Sequence, residues 1–320
     1  MKKHLPTIIL TILLLAGLSL LLYPSVADYW NSFHQSRAIA SYAADVSKID
    51  RTAYDRIIED ALAYNVILSE AGIRWEMTEK EKEAYNEKLN FSGDGIMGYI
   101  MIDKIDVKLA IYHGTSEAVL QQSIGHIENT SLPVGAASWD SDVAKNGQGV
   151  TNLSEGSHCV LSGHRGLPSA RLFTDLDKLV EGDVFTLNIL DETLTYQVDR
   201  IRIVEPTDLS ELRIVPGMDY CTLVTCTPYG INTHRLLVRG HRVINAQGDV
   251  KVVADALQLD KEYIMPVIAI PFIALLLFVM LVQTGHAKRR NRAVSAARER
   301  YADPEYLADV RRGSVRRQSR

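Results

Sequence analysis

The chain has 320 residues, 47% of them hydrophobic and 23% charged, with a formal net charge of −4. That is enough for one sizeable domain plus appendages. Its three cysteines make no disulfide framework, and no CxxC or HExxH spacing points to a metal site or other cofactor. The charge is uneven: Gly285 to Arg320 holds 11 Lys and Arg against 4 Asp and Glu, Lys2 and Lys3 add two more positives, and −13 is left for the part between. An acidic middle argues against nucleic acid as a partner, and a basic tail suits an anionic inner leaflet.

In chain order, the first element is an uncharged run of 17 residues, Thr7 to Tyr23. It is at the short limit for a helix crossing about 30 Å of hydrocarbon. Residues 1–27 therefore read either as a transmembrane anchor or as a signal peptide, with Ser25-Val26-Ala27 a passable cleavage site. Residues 28–94 read as helical. Apolar residues recur at helical spacing through Ile57, Ile58, Ala61, Leu62, Val66 and Ile67, which predicts a helix over about Val46 to Ser69. A second is predicted over Thr78 to Leu89, opened by a capping box of Thr78 and Glu81.

From residue 95 to 247 the texture is β. Short strands are predicted at Tyr99–Ile102, Val107–Tyr112, Cys159–Leu161, Val184–Ile189, Leu194–Val198, Ile201–Val204, Thr222–Thr225 and Leu236–Val243, with short helices near Ser116–Ser123 and Ala170–Leu179. About eight closely spaced strands suit a barrel or a sandwich, and a closed barrel leaves no exposed edge. Between the strands, 137–157 reads as a polar, turn-rich loop. Its Asp140 and Asp142 lack the remaining ligand spacing of a calcium loop. After a linker at 248–262 comes a second uncharged run, Tyr263 to Val282, long enough to cross a membrane, and then the basic tail 283–320. Lys2 and Lys3 before the first run and Lys288, Arg289, Arg290 and Arg292 after the second place both termini in the cytoplasm and the middle outside.

The chemistry concentrates at the run Thr222-Leu223-Val224-Thr225-Cys226. Seven turn-forming residues follow it, Thr227 to Thr233, among them Pro228, Gly230 and Asn232, and then His234-Arg235-Leu236-Leu237-Val238-Arg239. Strand, loop, strand is the reading, with Cys226 at one strand end and Arg235 at the start of the next. A thiol facing a fixed cation suits acyl transfer, the thiolate attacking a carbonyl and the guanidinium steadying the oxyanion. The candidate partner for the thiol is His164, reached by an apolar strand, with Gly163 before it and Gly166 after; by position alone such a His is usually only a surface or capping residue. Cys159 lies five residues before His164 and Cys221 five before Cys226, an odd offset that turns both toward packing.

These residues resemble the sortases, the cysteine transpeptidases of Gram-positive surfaces. TLVTC matches the TLxTC signature of that family, and TLVTCTPYGINTHRLLVRG (222–240), LSGHRGLPSARLFTDLDKL (161–179) and GYIMIDKIDVKLAIYHGTSEAVL (98–120) resemble its pilus-building class C branch. The resemblance implies a mainly β fold, a sortase-type closed barrel of about eight strands with short helices, a helical N-terminal segment and two flanking transmembrane helices. It implies Cys226 as nucleophile, His164 as general acid and base, Arg235 as the oxyanion- and substrate-stabilising cation, and Thr225 beside them as a substrate-binding residue. Arg165 and Arg239 are assigned to structure, as strand neighbours pointing to opposite faces. The implied partners are pilins or other surface proteins carrying an LPxTG-like sorting signal, at the cell membrane, with transfer to an amine such as a pilin Lys; attachment to the cell wall, hydrolysis or a non-catalytic assembly scaffold are the alternatives. Class C sortases commonly cover the cysteine with an Asp-Pro-aromatic lid. No Asp-Pro occurs between residues 24 and 262 here; Ile73-Arg74-Trp75 stands at the matching place, so Trp75 is either a lid aromatic or a packed connector, and Arg74 cannot latch onto Arg235.

Overall fold

In the computed structural model of the chain, the described residues are 5–71, 77–136 and 155–244, together with 285, 290, 292–296 and 298. The second apolar run, the linker before it, Arg74, Trp75 and loop residues 137–154 lie outside them.

Helix α1 runs unbroken from Leu5 to Val46. The sequence suggests a boundary after residue 27, but the backbone stays helical through it, with Pro24 inside. One helix is therefore both the apolar run and the first helix of the folded domain. Within it, the stretch Ile9–Val46 contains a window with a mean hydropathy of 2.2, long and apolar enough to cross a membrane. Its lower part packs Ile39 and Tyr42 onto the barrel, where the Tyr42 hydroxyl donates to the Met97 carbonyl (2.9 Å) and accepts from the Leu190 N–H (2.7 Å). Helix α2 spans Arg51–Ala71, starting later than predicted because the chain turns at Ser47–Asp50. Its buried Asn65 satisfies its whole amide: Nδ2 donates to the Leu132 and Gly135 carbonyls (3.0 and 2.8 Å), and Oδ1 accepts from the Leu132 N–H (2.7 Å). Helix α3, Glu79–Glu87, begins at the expected capping box of Thr78 and Glu81.

Eight strands close into a barrel in the order β1-β2-β3-β4-β7-β8-β6-β5. They are β1 Ile96–Ile102, β2 Val107–His113, β3 Ile124–His126, β4 Ser157–Ser162, β5 Val184–Ile189, β6 Glu192–Val204, β7 Asp219–Thr227 and β8 His234–Val243. Two strands read as separate, Leu194–Val198 and Ile201–Val204, are one long β6, irregular between Val198 and Arg200 where it pairs with β8. The three-residue β3 escapes sequence reading, being too short for an alternating pattern. A one-turn helix α4, Glu117–Leu120, precedes it. The predicted helix over Ala170–Leu179 is instead a series of turns with a 3₁₀ segment at Leu176–Lys178.

Alternation along the strands sorts two apolar clusters. Leu161, Cys221, Leu223, Leu236 and Val238 point into the barrel with Ile100, Ile124, Phe185 and Tyr196. Their strand neighbours Val160, Val224 and Leu237 point outward and meet Leu209 and Leu212 of the β6–β7 connection. The outer cluster floors the region from which the candidate site rises.

Candidate active site

Register assembles the site. β7 and β8 pair antiparallel with Cys226 opposite Arg235. β4 and β7 pair parallel, Ser162 opposite Val224. The joint continues past the end of β4: the Gly163 N–H donates to the Val224 carbonyl (3.1 Å), and the Thr225 hydroxyl donates to the Gly163 carbonyl (2.8 Å). Extending the β4–β7 register two residues beyond Ser162 brings His164 level with Cys226. By that register His164, just past the end of β4, falls in line with Cys226 on β7 and Arg235 on β8 at one rim of the barrel. Even offsets from Val224 and Leu237 turn Cys226 and Arg235 to the outer face, because strand side chains alternate with period two.

Cys226 is partly exposed, whereas Cys159 and Cys221 are buried. The two buried thiols face each other in register across β4 and β7 and belong to the barrel core. Burial pushes the Cys221 thiol well above its ordinary range. The odd offset read from the sequence is therefore borne out for both residues.

His164 is held by its backbone: its carbonyl accepts from the Phe173 N–H at 3.1 Å. The turn after it needs Gly166, whose φ is +79° and whose N–H donates to the Thr174 hydroxyl (3.0 Å). Gly163 serves close packing instead: a Cβ there would come within 2.8 Å of both Ile124 and Phe173. The His164 Nε2 is buried and has no hydrogen-bond partner. Glu117 Oε2 stands 3.8 Å from it, an ion pair once the ring is protonated. Gln121 Nε2 steadies the same carboxylate at Oε1 (2.5 Å). No sequence signal marks Glu117; its place beside His164 comes from the short connection through α4 into β3.

Arg235 donates from Nη1 to the carbonyls of Asn232 (3.4 Å) and His234 (3.2 Å). Among the described residues no carboxylate lies within ion-pair distance of it, so its charge is not neutralised by an ion pair there. The loop between Cys226 and Arg235 closes with left-handed backbone at Gly230 (φ +74°) and Asn232 (φ +61°), two of the turn formers read from the sequence. The Ile231 and Asn232 N–H groups both donate to the Pro228 carbonyl (3.1 and 3.0 Å).

The other two arginines are engaged elsewhere. Arg165 pairs with Asp177, donates to the Thr227 hydroxyl (3.3 Å) and lies over the Tyr229 ring. Arg239 makes a bidentate pair with Asp199, Nε to Oδ1 at 3.0 Å and Nη2 to Oδ2 at 2.7 Å, and its guanidinium lies 4.1 Å from the Tyr220 ring centroid. The parity argument for Arg239 needs correcting: four residues from Arg235, it shares that residue's face, and the Asp199 partner is what sets it apart. Thr225, expected at the substrate, is 1% exposed, and its hydroxyl is committed to Gly163. It joins the strand bearing the thiol to the segment bearing the histidine.

A closed eight-stranded barrel of this order, with a thiol, an imidazole and a guanidinium aligned along one rim, defines a sortase-type barrel. The sortase-domain profile matches residues 100–243. Sortase C1 from Streptococcus agalactiae has a crystal structure 54% identical to this chain, with a TM-score of 0.59, covering 65% of this chain and 99% of that one. Sortase C from Clostridium perfringens, solved with the C-terminal cell wall sorting motif, is 37% identical with a TM-score of 0.53 over 65% of this chain and 99% of that one. Sortase D from Bacillus subtilis is 28% identical over 149 residues, 46% of this chain. The chain spans 63% of that curated relative, under two thirds of its length. The chain belongs to the sortase family, and the solved structures it is similar to include class C sortases.

Proposed function

We propose that this chain is a membrane-anchored transpeptidase that joins surface proteins through their sorting signals, using Cys226, His164 and Arg235. The register that sets Cys226 opposite Arg235, with His164 two residues past the end of β4 on the neighbouring strand, is the observation that supports the reading. The Cys226 thiol passes its proton to His164 as its sulfur attacks the Thr carbonyl of an LPxTG-like segment. The carbonyl oxygen takes the electron pair beside the Arg235 guanidinium, whose fixed donors suit an oxyanion. The tetrahedral centre collapses with cleavage of the Thr–Gly C–N bond, and His164 gives its proton to the departing amine, leaving a thioester on Cys226. An incoming amine attacks that thioester, His164 takes the amine's proton, and a new amide forms as the thiolate leaves. For the class C branch the amine is a Lys of another pilin subunit. The C. perfringens relative solved with a cell wall sorting motif supports a sorting signal as the acyl donor.

The α1 helix acts as the anchor in this reading, with the barrel outside the cell. The deciding experiment supplies the full chain, in detergent micelles, with an LPxTG peptide and a set of amines including a Lys-bearing pilin fragment. Mass spectrometry then reads the products. Peptide joined to the pilin Lys supports the reading; release of free acid alone assigns hydrolysis, and joining only to cell-wall amines assigns anchoring.

A further inference from the structure

Helix α1 and the barrel together fix how the catalytic rim stands relative to a bilayer. Asp28 Oδ1 accepts the Arg171 N–H at 2.7 Å, in the segment that follows His164. Three residues on, Asn31 Nδ2 donates to the Gln122 carbonyl (3.0 Å), and Gln35 Nε2 donates to the same oxygen (2.8 Å). Gln122 leads into β3, whose Ile124 packs against Gly163 at the catalytic rim. Farther along, Tyr42 reaches Met97 and Leu190. Met97 lies near the start of β1, and Ile96 there pairs with Tyr112 at the end of β2 away from that rim. α1 therefore runs down the barrel wall from the catalytic rim toward the opposite end, and its apolar part leaves from the catalytic side.

Helix rise sets the height. The uncharged run ends at Tyr23, and Asp28 lies five residues on, or about 8 Å at 1.5 Å per residue. The headgroup layer beyond the hydrocarbon is about 5–8 Å deep on each side. Pro24 can change the tilt of the helix, but not the length of this tether. Exposed aromatics at Tyr23, Trp30 and Phe33 are spread over about 15 Å of α1 from the end of the uncharged run.

The catalytic rim also carries exposed apolar side chains among its polar ones. In the loop after Cys226, Tyr229 is 60% exposed and Ile231 68%. Ile203, near the rim end of β6, is also exposed. Tyr229 is no floppy tip: its ring packs on Gly166, where a Cβ would come within 3.0 Å, and Arg165 lies over it.

We propose that the catalytic rim faces the outer membrane surface and that the β7–β8 loop, through Tyr229 and Ile231, seats in the phospholipid headgroup layer as a second membrane contact. The inference rests on reading α1 as the membrane anchor. Its consequence is that an extended peptide reaches Cys226 sideways, between the barrel rim and the lipid.

The test places the photocrosslinker p-benzoylphenylalanine at Leu14, Ile231 or Val215 in separate full-length chains. Val215 is an exposed residue at the opposite end, where its carbonyl crowds Gly156 just before β4. Each chain is reconstituted into phosphatidylglycerol–phosphatidylcholine vesicles, irradiated and digested for mass spectrometry. The expected result is lipid adducts at positions 14 and 231 and few or none at 215. Adducts at 14, with 231 no more labelled than 215, overturn the membrane-facing rim while leaving the anchor intact. No adduct at 14 removes the anchor and the inference with it. Crosslinking of 231 to a second copy of the chain would assign the loop to self-association and overturn the inference. Joining of an LPxTG peptide to an amine, assayed on the unmodified chain in the same vesicles, reports the transpeptidase reading separately.

Discussion

Strand β7 holds two thiols five residues apart in opposite surroundings. Cys221 points into the barrel, fully buried against Cys159 of β4, and desolvation opposes its thiolate. Cys226 stands on the outer face at the strand end, partly exposed and opposite an arginine without a carboxylate partner among the described residues. The same contrast separates two arginines of β8. Arg239 is tied to Asp199 and stacked on Tyr220, while Arg235 touches only carbonyls of its own loop. Residue type does not distinguish members of either pair. Parity along the strand, distance from its end and the presence of a neutralising partner do.

The sharpest break of this comparison is at the thiols. Cys226→Ala should lower joining of an LPxTG peptide to an amine by at least about 10⁴-fold, because a covalent nucleophile is lost. Cys159→Ala and Cys221→Ala should stay within a few-fold of the parent rate. Comparable losses at all three positions would mean that burial does not separate them.

The arginines come next. Arg235→Lys should reduce kcat/KM by about 10²- to 10³-fold, the usual effect of removing one oxyanion donor. Arg239→Lys should leave kcat/KM nearly unchanged and act on stability instead, through the Asp199 pair. Steady-state kinetics paired with thermal melts decides this; a large kinetic loss at Arg239 would show that the wrong cation is assigned.

A pH effect sharpens the contrast between buried and rim imidazoles. His158 is fully buried on β4, its Nδ1–H donating to the Arg213 carbonyl (2.9 Å) while its other nitrogen accepts from the Thr222 hydroxyl (2.7 Å). Burial lowers its pKa from 6.5 to about 4. A depressed folded-state pKa means the unfolded chain binds the proton first. Stability from neutral His158 is therefore complete above about pH 6.5 and is lost as pH falls toward 4, by about 3 kcal/mol in all. Asp219 works in the opposite sense, since burial raises its pKa. Urea unfolding of the parent and of His158→Gln at several pH values isolates the histidine: the parent should lose more stability than the variant between pH 7 and 4. Parallel curves would contradict the assignment.

The smallest effect concerns Thr225. Thr225→Val removes the bond to the Gly163 carbonyl and should cost about 1 kcal/mol of stability. Because that bond joins the thiol strand to the histidine segment, kcat should fall while KM for the peptide holds. A rise in KM with kcat unchanged would restore Thr225 as a substrate contact.

Much of this arrangement is legible in the residues before folding. An apolar run ending in Cys226, turn formers at Gly230 and Asn232 and a run opening on Arg235 lead directly to the observed hairpin, because the left-handed turn positions are held by residues that tolerate them. Parity places Cys159 and Cys221 inside for the same local reason. His164 is different: its closeness to Cys226 depends on β4 pairing with β7, a contact across about sixty residues that no local pattern encodes, and family resemblance supplied it. The short helix near Ser116 is legible and appears as α4, but no local pattern sets its Glu117 beside His164, and β3 escapes reading because a three-residue strand is too short to show alternation. The continuity of α1 was missed because polar residues after Tyr23 resemble an end of the membrane run, while helical backbone is indifferent to that change.

The central claim is that Cys226 carries the acyl group. Incubating the full chain with an LPxTG peptide, quenching in acid and mapping by mass spectrometry tests it directly. The expected result is a thioester-linked acyl fragment ending at Thr, on Cys226 alone, discharged by added amine and missing from Cys226→Ala. An acyl group on another residue, or joined product formed by Cys226→Ala, would contradict the account.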